Sequence, residues 1–128
     1  MKVCFNTEKG PKAVGPYSTL TMTNDLVFVS GMIPIDPKTN EIVEGGIEAQ
    51  ARQSLINIKT VLEEVGLSMN HALKTTVLLT DLNFFGAVNA IYGEYFAPNF
   101  PARACYEVSK LPKGAMIEIE VIAARTYE

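Results

Sequence analysis

The sequence predicts an α+β domain in which two helices lie on one face of a single β-sheet. Three observations carry that expectation. Segments of alternating apolar and polar residues occur near both ends of the chain, a long run of apolar residues spaced by three and four lies between them, and a second, shorter helical stripe follows. In order the segments read ββαβαββ, which places strands and helices around one core.

"YSTLTMT" and "LVFVSGM" flank Asn24-Asp25, residue types that tolerate turn geometry, so 17–32 reads as a β-hairpin. The following "IPIDPKTNEIVEGG" holds Pro34, Pro37 and two glycines and reads as a loop. Ile47, Ala51, Leu55, Ile58, Leu62 and Val65 then form a helical stripe that Gly66 ends. "KTTVLLT" is a strand. Asp81 or Asn83 can cap a second helix whose stripe is Phe85, Val88, Tyr92, Tyr95 and Phe96, closed by Pro98 and Pro101. "ARACYEVS" and "MIEIEVIAA" are strands joined by "KLPKGA", close enough to form a hairpin.

At 128 residues, 48% of them hydrophobic, the chain fits one domain spanning 1–128 with a real core. Its net charge of −3 gives none of the basic footprint a nucleic-acid binder needs, so nucleic acid is not expected as the main ligand. Cys4 and Cys105 lie far apart without a CxxC pair, which suits neither a zinc knuckle nor a disulfide framework and fits a reducing, cytoplasmic setting. No apolar run approaches the ~20 residues of a membrane span, and the polar "MKVCFNTEKG" start is unlike a signal peptide.

The charged residues of the last two strands raise the functional question. Alternation puts Arg103, Cys105 and Glu107 on one side of their strand and Glu118 and Glu120 on one side of theirs. If the hairpin pairs odd positions with even ones, Arg103, Cys105, Glu118 and Glu120 all project from the face opposite the helices. Such a face is either solvated or, since it also carries small and apolar residues, covered by another subunit.

Individual motifs leave alternatives open. "GPYS" is a turn before a strand, or a way to set the Tyr17 ring and hydroxyl over a cavity; "SGMIP" puts Gly31 where a bulge forms or a ligand approaches closely. His71, the sole histidine, sits in the polar connector "LSMNHAL" and reads as a surface residue, so a His-rich metal site is not available. Cys105 is a small core filler or a nucleophile activated by a neighbouring arginine, though with no base at hand. No GxGxxG or Walker-type loop occurs.

Together "GPYS", "SGMIPIDPKTNEI", "QARQSLINIKTVLEEVGL", "KTTVLLTDLNFFGAVNAIY" and, most specifically, "FPARACYEVSKLPKGAMIEIEVIA" resemble the Rid family of reactive-intermediate (imine/enamine) deaminases, also called the YjgF family. The resemblance covers nearly the whole chain. It implies a chorismate-mutase-like α+β fold, with a mixed sheet and two helices on one face. It also implies a homotrimer whose sheets line a central β-barrel and whose clefts lie between subunits. By the same resemblance Arg103 binds the carboxylate of a 2-imino or 2-keto acid and Glu118 positions a water. Tyr17, Ser30, Gly31, Asn89 and the backbone at Cys105 complete the cleft. The "YFAPNFPAR" connection is shorter than in many relatives, which puts the cleft rim and substrate preference in question.

The implied reaction is hydrolysis of 2-imino or 2-enamino acids, such as 2-iminobutanoate and 2-iminopropanoate, to 2-keto acids and ammonia. An arginine suits it because its fork can grip a carboxylate bidentately. No metal or organic cofactor is implied. The alternative is a non-catalytic regulatory module that binds 2-keto acids; RNA cleavage is a further rival that the acidic charge disfavours.

Overall fold

The computed structural model describes residues 1–125. Along the chain run β1 (Val3–Phe5), β2 (Leu20–Met22), β3 (Leu26–Met32), β4 (Ile35–Asp36), β5 (Glu41–Ile42), α1 (Gly46–Glu64), β6 (Ala72–Leu79), α2 (Phe85–Phe96), β7 (Ala102–Glu107) and β8 (Ile117–Ala124). The hairpin around Asn24-Asp25 is β2–β3, with Leu20 opposite Val29 and Met22 opposite Val27. The segment expected to be a plain loop after Met32 contains the small β4–β5 hairpin, whose strands are two residues each. Strands that short carry no period to read.

Six strands form a mixed sheet in the order β1-β2-β3-β8-β6-β7. Every neighbouring pair is antiparallel except β6 and β7, which run parallel. Parallel neighbours need a crossover, and α2 supplies it. This overturns the expected β7–β8 hairpin. Both strands pair with β6, which lies between them, so the turn at 110–115 spans a strand rather than joining two neighbours.

α1 forms for the reason its spacing suggests. Ala51, Leu55, Ile58 and Leu62 are fully buried with Val61 against Val27, Val77, Ile117 and Ile119 of the sheet. Each such Leu or Ile contributes roughly 1.5–3 kcal/mol by leaving water. Gly66, at φ 80°, takes the left-handed position that closes the helix. α2 buries Val88, Ile91, Tyr92 and Phe96, but Phe85 from its expected stripe is 39% exposed. Asp81 is the capping residue: its carboxylate accepts from Asn83 N–H at 2.8 Å and opens a single 3₁₀ turn that runs into α2.

Polar side chains on α1 anchor the loops around the sheet. Asn57 Nδ2 donates to Ile35 O at 2.9 Å, and Gln50 Oε1 accepts from Met116 N–H at 2.8 Å. Glu64 accepts from the Thr7 hydroxyl and from the backbone N–H groups of Glu8 and Lys9, which ties the N-terminal segment to the end of α1. His71, expected at the surface, is buried in the turn before β6, where its Nδ1 accepts from Ser68 N–H at 3.0 Å. The polar letters around it serve that local cap rather than solvent.

A candidate active site in two halves

Register decides which charged residues share a face. Arg103 pairs with Thr75 and Cys105 with Val77, while across β6 the same Thr75 and Val77 pair with Val121 and Ile119. Those four partners are buried under the helices, so Arg103 and Cys105 point to the helix-covered side. Glu118 and Glu120 pair with Leu78 and Thr76 and point to the opposite side. The expectation that Arg103, Cys105, Glu118 and Glu120 share one face is therefore wrong, because it rested on a hairpin that does not form.

The cationic half stands on β7, at the edge of the sheet, beside α2. The Arg103 Nη1 donates to Asn89 Oδ1 at 2.8 Å, and its Cζ lies 5.3 Å from the Phe85 ring centroid and 4.8 Å from that of Tyr92. A cavity of about 320 Å³ opens there, bordered by Asn89, Tyr92, Gly93, Phe100, Pro101 and Arg103. Burial pushes the Cys105 thiol up, and Arg103 offsets this only in part. The thiol therefore keeps its proton near neutral pH, which suits a filler better than a nucleophile.

The acidic half lies on the uncovered face. Tyr17, Ser30, Gly31, Glu118 and Glu120 line a cavity of about 370 Å³ together with Val14, Ile33 and Pro112. The β3–β8 ladder shifts register between Val29 and Met32, and Gly31 sits in that irregularity. A Cβ on Gly31 would fall 2.8 Å from Glu118 Cδ and closer still to its Oε2, so the missing side chain is the seat of the carboxylate. Burial first, and then the neighbouring Glu120, raise the Glu118 carboxyl above the usual carboxylate range. Among the described residues no hydrogen bond or ion pair neutralises it. Ser30 Oγ donates to Ser18 O at 2.7 Å, and the Tyr17 hydroxyl accepts from Val14 N–H at 3.2 Å, so both fix the 14–18 loop over this cavity.

Of the residues singled out in the sequence, Asn89 and Arg103 thus border one cavity with Cys105 near the arginine, and Tyr17, Ser30, Gly31 and Glu118 line a second. Sequence reading missed Phe85 and Tyr92 as neighbours of Arg103. Their spacing with Asn89, at i, i+4 and i+7, was the available signal, hidden because both aromatics also fit an apolar stripe.

Residues 7–125 match the family model described as Endoribonuclease L-PSP. The chain belongs to the Rid (YjgF) family. It is similar to a human 2-iminobutanoate/2-iminopropanoate deaminase, 46% identical over 93% of this chain and 87% of that one. A RutC family protein of Pyrococcus horikoshii is 51% identical over 96% of this chain and 98% of its own length. In three dimensions the chain resembles E. coli TdcF, solved with bound serine, with a TM-score of 0.92, 39% identity and coverage of 97% and 99% of the two chains. The mixed sheet with two helices is the fold of this Rid family. Among the described residues, no helix is long and apolar enough to cross a membrane.

Proposed function

We propose that this Rid protein hydrolyses small 2-imino and 2-enamino acids to 2-keto acids and ammonia, in clefts that two copies of the chain complete within a homotrimer. The observation that carries the proposal is the division of the site. Arg103 and Glu118 leave the sheet on opposite faces and border separate cavities, each holding one half of the chemistry. The uncovered face, where half-exposed Phe28 and Tyr106 stand among Leu78, Ala104 and Ile122, would turn inward as the wall of the central barrel.

In the completed cleft Arg103 of one copy holds the substrate carboxylate, and Glu118 of the next faces the C=N bond. Burial and the neighbouring Glu120 raise the Glu118 pKa, which makes its carboxylate a stronger base, and general acid–base help of this kind is typically worth ~10²–10⁴ fold. Glu118 takes a proton from water as the new C–O bond forms at C2, the C=N π pair moves to nitrogen, and the nitrogen takes that proton from the Glu118 carboxyl to give a neutral amino-alcohol adduct. The hydroxyl proton of the tetrahedral adduct then passes through the Glu118 carboxylate to the amine, the C–N bond breaks with its pair leaving on ammonia, and the oxygen closes to the carbonyl of the keto acid. The activity named for the human relative and the serine held by the E. coli one both suit a cleft for small carboxylates. RNA cleavage, the activity in the family model's description, has less support here, since a net charge of −3 offers little counterion release.

The test is subunit complementation. Arg103→Gln and Glu118→Gln, each inactive alone, are mixed in equal amounts, unfolded and refolded together. If each site takes its arginine from one copy and its glutamate from another, about a quarter of the sites regain both groups in random mixtures. Ammonia release from imines generated in situ should recover to that fraction. No recovery from properly reassembled protein would refute the shared site, and no release from wild type would favour the binding-module reading.

A further inference from the structure

Arg103 is held more firmly than an exposed residue on an edge strand requires. Phe85, Asn89 and Tyr92 stand one above the other on one face of α2, and the guanidinium lies over both rings, its Cζ 5.3 Å and 4.8 Å from their centroids, with Asn89 bonded to Nη1 at 2.8 Å. Tyr92 is fixed in turn: it is 5% exposed, and its hydroxyl is 2.6 Å from Oγ1 of the fully buried Thr75. Thr75 is also the residue paired with Arg103 across β6 and β7, so strand and helix hold the arginine from both ends. With Nη1 engaged by Asn89 and both rings close to the guanidinium, the Nε–Nη2 edge has no hydrogen-bond partner among the described residues.

We infer that Phe85, Asn89 and Tyr92 are positioning residues that fix Arg103 before any ligand arrives, offering its Nε–Nη2 edge to a carboxylate. The inference rests on the reading of Arg103 as the carboxylate-binding residue. An arginine free to explore its rotamers loses that freedom on binding, whereas a fork already held in place loses less. The clamp therefore acts on ligand affinity and leaves the chemical step to the acidic half.

Phe85 is the position to test, because its exposure makes it dispensable for the core. Phe85→Leu keeps bulk and helix propensity but removes the ring face; Phe85→Tyr restores it. Calorimetric titration with 2-ketobutyrate should show Kd rising roughly two- to fivefold for Phe85→Leu, with KM rising alongside and kcat nearly unchanged. Phe85→Tyr should bring affinity back to within about twofold of wild type. In an Arg103→Gln background Phe85→Leu should add nothing further; if binding there is too weak to titrate, the leucine and tyrosine variants decide. Wild-type affinity in Phe85→Leu, no rescue by tyrosine, or an equal loss without the arginine would each overturn the clamp. Wild-type affinity in Arg103→Gln would overturn the carboxylate reading itself.

Discussion

Gly31→Ala is the smallest change that should separate the seat of Glu118 from the fold. A Cβ at this position would stand 2.8 Å from Glu118 Cδ and 3.1 Å from its Cγ. Ordinary carbon contacts begin near 3.5 Å, so the carboxyl must retreat by on the order of 1 Å. The obstacle is the end of a flexible side chain, and no left-handed backbone angle at Gly31 penalises alanine. The ladder therefore survives and stability should change by less than about 1 kcal/mol. Catalysis is less forgiving, since a displacement of that size can cost about a hundredfold in rate. The assay is ammonia release from 2-iminobutanoate made in situ, alongside a melting curve and 2-ketobutyrate titration. Turnover should fall by roughly one to two orders of magnitude, with keto-acid affinity within a few fold because Arg103 is untouched. Full turnover in Gly31→Ala would show that Glu118 does not act from this seat.

Cys105→Ala should keep turnover within about tenfold, or ~1.4 kcal/mol of barrier, because burial keeps the thiol protonated; ammonia-release rates check it. Ser54→Ala should stabilise the protein by roughly 0.5–1.5 kcal/mol in thermal melts, since the Ser54 hydroxyl is buried with no hydrogen-bond partner among the described residues and alanine is the better helix former. Glu118→Gln should raise the melting temperature at pH 7. The folded state raises this carboxyl's pKa, so its contribution is full below the ordinary carboxylate value and lost as pH climbs through the raised one. The gain from glutamine should accordingly vanish near pH 4, and a gain that persists there would sink the argument. Light scattering should give a mass near three times 14.0 kDa.

Much of the fold was legible because it is local. The stripe from Ile47 to Val65, the Gly66 stop and the Asn24-Asp25 turn each depend on residues within a few positions of one another. The insertion of β6 between β7 and β8 depends on a long-range pairing that no spacing encodes, and the short turn between the two strands argued for the wrong neighbour. β1, β4 and β5 went unread because two or three residues carry no period.

Alternation along "ARACYE" correctly grouped Arg103 with Cys105, but period two fixes which residues share a face and not which face that is. Polarity suggested that the arginine turned away from the helices. Instead α2 meets it with an amide and two aromatic rings, so a cation at the rim of the helical layer is as well accommodated as one facing water. Only the β6 pairings of both strands place Arg103 and Glu118 on opposite sides. That separation gives the proposed trimer a chemical reason. A chain that kept both groups on one face could be complete alone. One that divides them by its own sheet can bring arginine and glutamate to a single ligand only by lending each to a neighbour.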